Sequence, residues 1–228
     1  MARQRLRQED IVKAAIAYID EFGVQSLSMR RLGMSLDVEA MALYNYVSGR
    51  EQLVSLAVDE LIDDLFDEEL MQEQPESWEA FLRFVATAMR DLALGHPRMF
   101  PLMITQPPEA PWLRPPLRSI EVVNTFLSAL IEEGFTDAQA VGAYRSFSSF
   151  LLGQLLLESS VRGAQTAPVE EPLDEGDASI PHRDGNLSLD EAPEVKRLRS
   201  LLSEDRSEEE FEVSLEVLLD RLDRELSQ

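Results

Sequence analysis

Residues 28–50 read Ser-Met-Arg-Arg-Leu-Gly-Met-Ser-Leu-Asp-Val-Glu-Ala-Met-Ala-Leu-Tyr-Asn-Tyr-Val-Ser-Gly-Arg, and no other stretch restricts the fold so tightly. Leu32 and Leu36 lie one helical turn apart, as do Leu43 and Val47, so two short segments each carry a narrow apolar face. Asp37 stands between them, where the chain must turn sharply, and Asp tolerates the left-handed conformation better than most residues. Val38 then plugs the angle between the two helices. This is helix-turn-helix grammar, in which the second helix enters a DNA major groove. On spacing alone, an ordinary helical hairpin fits these residues equally well.

The flanking residues add a first helix over about Gln8–Phe22, with apolar positions 11, 15, 18, 19 and 22. Gly23 ends that helix and Ser28 caps the next one. A third helix is expected over about Glu39–Val47, and a longer one starts at Arg50. The carrying residues are Ile11, Ala15 and Ile19, then Phe22-Gly23, Leu27-Ser28, Arg30, Leu32, Leu36 and Val38. After them come Leu43-Tyr44, Val47 and Leu53. An aliphatic-Tyr pair, an aromatic two residues later and a polar turn before Leu53 complete the pattern. On these residues, positions 8–60 resemble the DNA-binding domain of the TetR family of transcriptional regulators.

The resemblance implies that Ala40, Met41 and Ala42 face base edges while Tyr44, Tyr46 and Arg50 approach phosphates. Residue chemistry is consistent with it. Ala and Met can touch a thymine methyl, Asn45 can hydrogen-bond a base or phosphate, and Arg30 can reach a guanine or a phosphate. Packing between head and body is the competing role for Tyr44. Two positions depart from the family pattern, which has Ala where Gly33 stands and Gly where Asp37 stands. Gly33 should cost about 1 kcal/mol of helix propensity relative to Ala, and Asp37 brings a negative charge near DNA.

Charge at first argues against a nucleic-acid partner, since the net value is −22 over 228 residues. Residues 1–50, however, hold seven Lys or Arg against six Asp or Glu, so the acidity belongs to the rest of the chain. DNA binding needs a local basic surface rather than a basic protein, and an acidic body would repel the duplex and orient the head toward it. Arg3, Arg5 and Arg7 form a short arm ahead of the first helix that can reach phosphates or the minor groove. Cysteine is absent, so there is no disulfide and no thiolate metal site. No metal or cofactor motif appears. No apolar run is long enough to span a membrane and no signal peptide begins the chain, so a cytoplasmic location is expected.

The expected fold is all-α. The head, residues 1–50, is a three-helix helix-turn-helix DNA-binding domain, and a linking helix occupies 51–74. The body, 75–228, is a helical ligand-binding and dimerisation domain that includes a mobile acidic linker at 163–193, rich in Pro, Gly, Asp, Glu and Ser. Body helices are expected at Ser77–His96, about Pro116–Glu133, Asp137–Val161, Glu194–Leu202 and Glu208–Leu226. The body residues His96-Pro97, Glu133-Gly134-Phe135, Ala140, Tyr144, Phe150, Leu152-Gly153, Phe211, Leu215 and Leu222 resemble the tetracycline-repressor branch of the same family. This implies a homodimer joined by a four-helix interface of the 137–161 and final helices, with an inducer cavity in each subunit.

Candidate cavity residues are Phe66, Phe84, His96, Phe100, Met103, Trp112, Phe126, Tyr144 and Phe147, with simple core packing between helices as the competing role for the apolar residues of 96–116. Family members that take tetracycline bind it with magnesium through histidine and further polar contacts. Here Phe66 and Leu157 stand near where polar partners are expected, so an apolar or aromatic small molecule is the predicted inducer. The reading is thus a ligand-responsive DNA-binding regulator, with a palindromic double-stranded operator and a small-molecule inducer as partners, and no membrane. Two other classes stay open: a helical dimeric adaptor without DNA binding, and a helical enzyme using Glu158 with Tyr144. No nucleophile elbow, phosphate loop, zinc-protease motif or dinucleotide fingerprint supports the enzyme. His182-Arg183-Asp184 resembles a kinase triplet but lacks every accompanying motif.

Overall fold

Helix α1 (Gln8–Phe22) begins at an extended Arg7, whose backbone N–H donates to the Asp10 carboxylate at 3.1 Å. It buries Ile11, Val12, Ala15, Ile16 and Ile19, the i, i+4 stripe that the spacing predicts. Phe22 continues the spacing but is half exposed, packed on Tyr18 with ring centroids 4.8 Å apart and the rings tilted at 48°. Gly23 ends α1 with φ 80° and returns its N–H to Ile19 O at 2.7 Å. A 3-10 turn over Val24–Ser26 leads to Ser28, whose hydroxyl caps α2 (Met29–Ser35) by accepting from Arg31 N at 3.2 Å. Asp37 makes the sharp turn at φ 54°.

The third helix is shorter than its spacing predicts: α3 spans only Ala40–Leu43. Beyond it Asn45 N and Tyr46 N bond three residues back, to Ala42 O and Leu43 O, and the Asn45 amide also takes Ala42 O. Side-chain competition for those carbonyls and tight i→i+3 turns replace a further α-helical turn. Helix α4 (Arg50–Leu65) packs on α1, and its Leu53, Val54, Ala57, Val58 and Leu61 close the head core.

The computed structural model describes residues 6–65, 77–105, 112–115, 120–163 and 193–226. Phe66, the expected boundary at Gln74–Ser77 up to residue 76, the Arg3 and Arg5 arm, and the acidic linker between 164 and 192 lie outside the described residues. Among the described residues every regular element is helical.

The body is built from α5 (Trp78–Gly95), α6 (Phe100–Thr105), α7 (Ile120–Glu132), α8 (Asp137–Val161), α9 (Pro193–Leu202) and α10 (Ser207–Leu226). Ser77 caps α5 through Ala80 N, and Thr136 and Gln139 form a capping box on α8. Helix α8 buries one broad face, Ala140, Ala143, Tyr144, Phe147, Leu151, Leu155 and Glu158, and packs on α5, α6, α7 and α10. Helix α10 brings the stripe Phe211, Leu215, Leu219 and Leu222 onto it, with Phe211 stacked on Phe150 at 6.0 Å.

Candidate DNA-reading head and ligand-binding body

The outer surface of the head gathers most of the predicted DNA-facing residues. Arg30 on α2 is exposed, as are Met41 (74 %), Tyr44 (47 %) and Asn45 at and after α3. Ala40 and Ala42 are half-buried on the same short helix. Beneath them, Leu32, Leu43 and Val47 are buried and hold the two helices together. Met34 is exposed on α2 and was not singled out by spacing, because an apolar residue on a helix reads as core.

Two predicted phosphate contacts have other duties. Arg50 is turned inward, donating through Nε to Leu27 O at 3.0 Å and through Nη2 to Val24 O at 2.8 Å. It braces the 3-10 turn from the start of α4 instead of presenting a free guanidinium. Tyr46 is half-buried against the core, and its carbonyl accepts from Gln8 Nε2 at 2.9 Å. That bond ties the start of α1 to the end of the recognition segment.

Gly33 has a reason that helix propensity does not show. Val38 N donates to Gly33 O at 2.9 Å, so the turn folds back over α2. A Cβ at position 33 would meet Val38 O at 2.8 Å and Ala40 N at 3.2 Å. The close approach of α3 to α2 requires glycine there.

In the body, Phe126 is the centre of an aromatic cluster. Its ring centroid lies 6.0 Å from Phe81, 5.7 Å from Tyr144 and 5.5 Å from Phe147. Phe100 and Met103 are buried on α6 and Phe84 is half-buried on α5. Tyr144 donates its hydroxyl to Pro115 O at 2.7 Å, and burial pushes its pKa up to about 12. It is therefore a neutral donor at any ordinary pH.

Trp112 and His96 separate from this group. Trp112 is 75 % exposed. His96 points to the head: its Nδ1 donates to the Asp20 carboxylate on α1 at 2.6 Å. His96 is a cavity candidate in the sequence, and its partner, 76 residues away, leaves no local trace there.

Glu158 does not pair with Tyr144. It is buried on α8 against Arg90 of α5, with Nη2–Oε1 at 3.0 Å, and against Arg162 at 3.6 Å. Arg90 also stacks over Phe211, 5.3 Å from its centroid. A polar cleft of about 480 Å³ opens beside this network, lined by Arg90, Arg162, Arg206, Asp205 and acidic residues of α10. It shares no lining residue with the aromatic cluster. No cluster of His, Cys, Asp or Glu suited to a metal occurs among the described residues, and no described helix is long and apolar enough to cross a membrane.

A capped helix-turn-helix head, followed by the long helix α4 and a helical body, defines a class of DNA-binding regulator. Residues 72–226 match the tetracyclin repressor-like, C-terminal domain family. An HTH-type transcriptional regulator of Saccharopolyspora erythraea is 30 % identical over 189 residues, which is 81 % of this chain and 76 % of the relative. Among solved structures, TetR from Acinetobacter baumannii AYE superposes with a TM-score of 0.68 at 20 % identity, covering 98 % of this chain and all of the other. The Streptomyces coelicolor TetR family protein ActR in complex with actinorhodin superposes with a TM-score of 0.65 at 23 % identity, covering 98 % of this chain and all of the other. The chain belongs to the TetR family of transcriptional regulators, with an N-terminal helix-turn-helix domain and a C-terminal helical domain.

Proposed function

We propose that this protein is a ligand-responsive transcriptional repressor that binds a palindromic operator as a homodimer and is released by a small apolar or aromatic inducer. The observation that carries the reading is the head surface of Arg30, Met41, Tyr44 and Asn45, exposed on a helix pair fixed by the Ser28 cap, Gly33 and Arg50. Its small and apolar side chains suit thymine methyl groups, and Arg30 suits a guanine or phosphate. The assignment of residues 1–50 to the head, 51–74 to the linking helix and 75–228 to the body is part of this proposal.

Dimerisation is supported by apolar side chains left at the surface of α8 and α10. Leu157 and Val161 on α8, and Val213 and Val217 on α10, are all more than half exposed, a pattern that marks an uncovered helical interface. Two heads would read successive major grooves about 34–36 Å apart. For the ligand, the support is the cluster of Phe126, Tyr144 and Phe147 beside Phe100 and Met103, together with the small-molecule complex of the similar ActR with actinorhodin. A 100-fold release requires about 2.7 kcal/mol of coupling.

The test is an electrophoretic mobility shift with DNA from upstream of the protein's own coding region, followed by a thermal-shift screen. Retarded DNA freed by polycyclic aromatic compounds supports the reading. Absence of any shift at low salt overturns it, and stabilisation by tetracycline with magnesium but by no apolar compound overturns the inducer class.

A further inference from the structure

The last turn of α1 is completed jointly by the head and the body. A helix leaves its final carbonyls without intrahelical donors, and α1 has no basic residue in its last turn to serve them. Ile19 O takes Gly23 N and Phe22 O takes the Ser26 hydroxyl. The two carbonyls between them, Asp20 O and Glu21 O, both accept from Arg98 Nη1, the first at 3.0 Å. Beside them the Asp20 carboxylate accepts from His96 Nδ1 at 2.6 Å. Both donors belong to the short turn between α5 and α6, so one turn of the body supplies a cation and an imidazole to one helix end of the head.

This turn is also the foundation of α6. His96 O accepts from Met99 N and Phe100 N, both at 3.0 Å, and so starts the helix that carries Phe100 and Met103. At its other end α1 is tied to the recognition segment by the bond from Gln8 to Tyr46 O. Helix α1 is therefore a rigid strut of about 22 Å between the apolar body and the DNA-facing surface. We propose that Asp20, His96 and Arg98 form a clasp that positions the DNA-binding head through α1, and that protonation of His96 closes it. The positioning role rests on the regulator reading above; the clasp itself does not.

The carboxylates acting on His96 are Asp20 of α1 and Asp64 of α4, while Arg98 of its own turn is engaged with the α1 carbonyls Asp20 O and Glu21 O. The hydrogen bond to Asp20 dominates and raises the imidazole pKa above 6.5, against a smaller opposing effect of burial, with Asp64 adding to the rise. The sign follows: the ion pair is complete below pH 6.5 and is lost as pH rises through the elevated value. A closed clasp removes orientational freedom from each head before it meets DNA, so loosening should weaken operator binding about threefold, the scale of a partly exposed ion pair.

The test uses the full chain. His96 and His182 are its two histidines, so the His182→Asn variant leaves one imidazole to titrate by NMR, while amide exchange reports on residues 20–23. The clasp predicts a midpoint above 6.5 that falls in Asp20→Asn, and exchange at 20–23 that accelerates above the midpoint after correction for its intrinsic pH dependence. Arg98→Gln should accelerate that exchange at every pH, and Arg98→Lys should restore part of the protection. A midpoint indifferent to Asp20→Asn, or exchange with no step at the midpoint, overturns the clasp. Affinity for a selected palindrome should fall about threefold from about pH 6 to about pH 8.5 in the parent and stay level in Asp20→Asn; equal falls in both overturn the positioning role. A chain that binds no DNA at any pH refutes the regulator reading, while titration and exchange still decide the clasp.

Discussion

Replacing Gly33 by Ala sets helix propensity against packing. Propensity alone favours Ala in the interior of α2 by about 1 kcal/mol. The structure puts the new methyl 2.8 Å from Val38 O and 3.2 Å from Ala40 N, both backbone atoms. No side chain can swing aside, so the Asp37–Ala40 segment must move, and overpacking of this kind costs about 1–3 kcal/mol. The movement also strains the bond from Val38 N to Gly33 O, worth about 1 kcal/mol. The losses exceed the propensity gain, leaving a net destabilisation on the order of 1–2 kcal/mol. For a chain of this size that lowers Tm by about 2–4 °C per kcal/mol, read by circular dichroism.

Asp37 holds φ 54°, a conformation costing a non-glycine residue about 1 kcal/mol, so Asp37→Gly frees the turn. The double variant Gly33→Ala/Asp37→Gly should recover part of the loss, with a coupling energy of about 0.5 kcal/mol or more. The family's Ala and Gly at these positions and this chain's Gly and Asp are then two solutions to one turn. A Gly33→Ala variant about 1 kcal/mol more stable than the parent, or strictly additive effects, would refute this reasoning.

Arg50→Ala should destabilise the head by about 1–3 kcal/mol, through loss of charge-assisted bonds to Val24 O and Leu27 O, measured by urea denaturation. Its salt dependence of DNA binding should match the parent, since its guanidinium is engaged with the Val24 and Leu27 carbonyls. Arg90→Ala leaves Glu158, 4 % exposed at its side chain, with only the longer contact to Arg162, and should cost on the order of 3 kcal/mol. The paired change Arg90→Met/Glu158→Leu should cost less in the same denaturation assay, because no charge is then left buried alone.

What could be read from the sequence follows the range of the interactions involved. The first helix, the Ser28 and Ser77 caps and the left-handed Asp37 each depend on residues within four positions, and their structures follow the pattern. The third helix is shorter than its spacing predicts because Asn45 and the i→i+3 turns compete with an apolar spacing that continues to Val47. The nearest-bonded partners of Arg50, His96 and Glu158 lie 23 to 76 residues away, so their duties as brace, clasp and buried pair have little local signature. Gly33 was legible as a departure from the family but not as a requirement, because the atom it makes room for, Val38 O, becomes a neighbour only once the turn has formed.

On the function proposed above, two such heads on a dimeric body read DNA in successive major grooves. The direct measurement is the affinity of the full chain for a selected palindrome by fluorescence anisotropy, at several salt concentrations, with the half-sites at their selected spacing and then separated by about half a helical turn more. The account predicts tight binding at the selected spacing, loss of at least tenfold on the half-turn insertion, and a salt slope reduced by about 1 in Arg30→Ala if that residue contacts a phosphate. Affinity indifferent to half-site spacing, or no binding to any selected sequence at low salt, would contradict it.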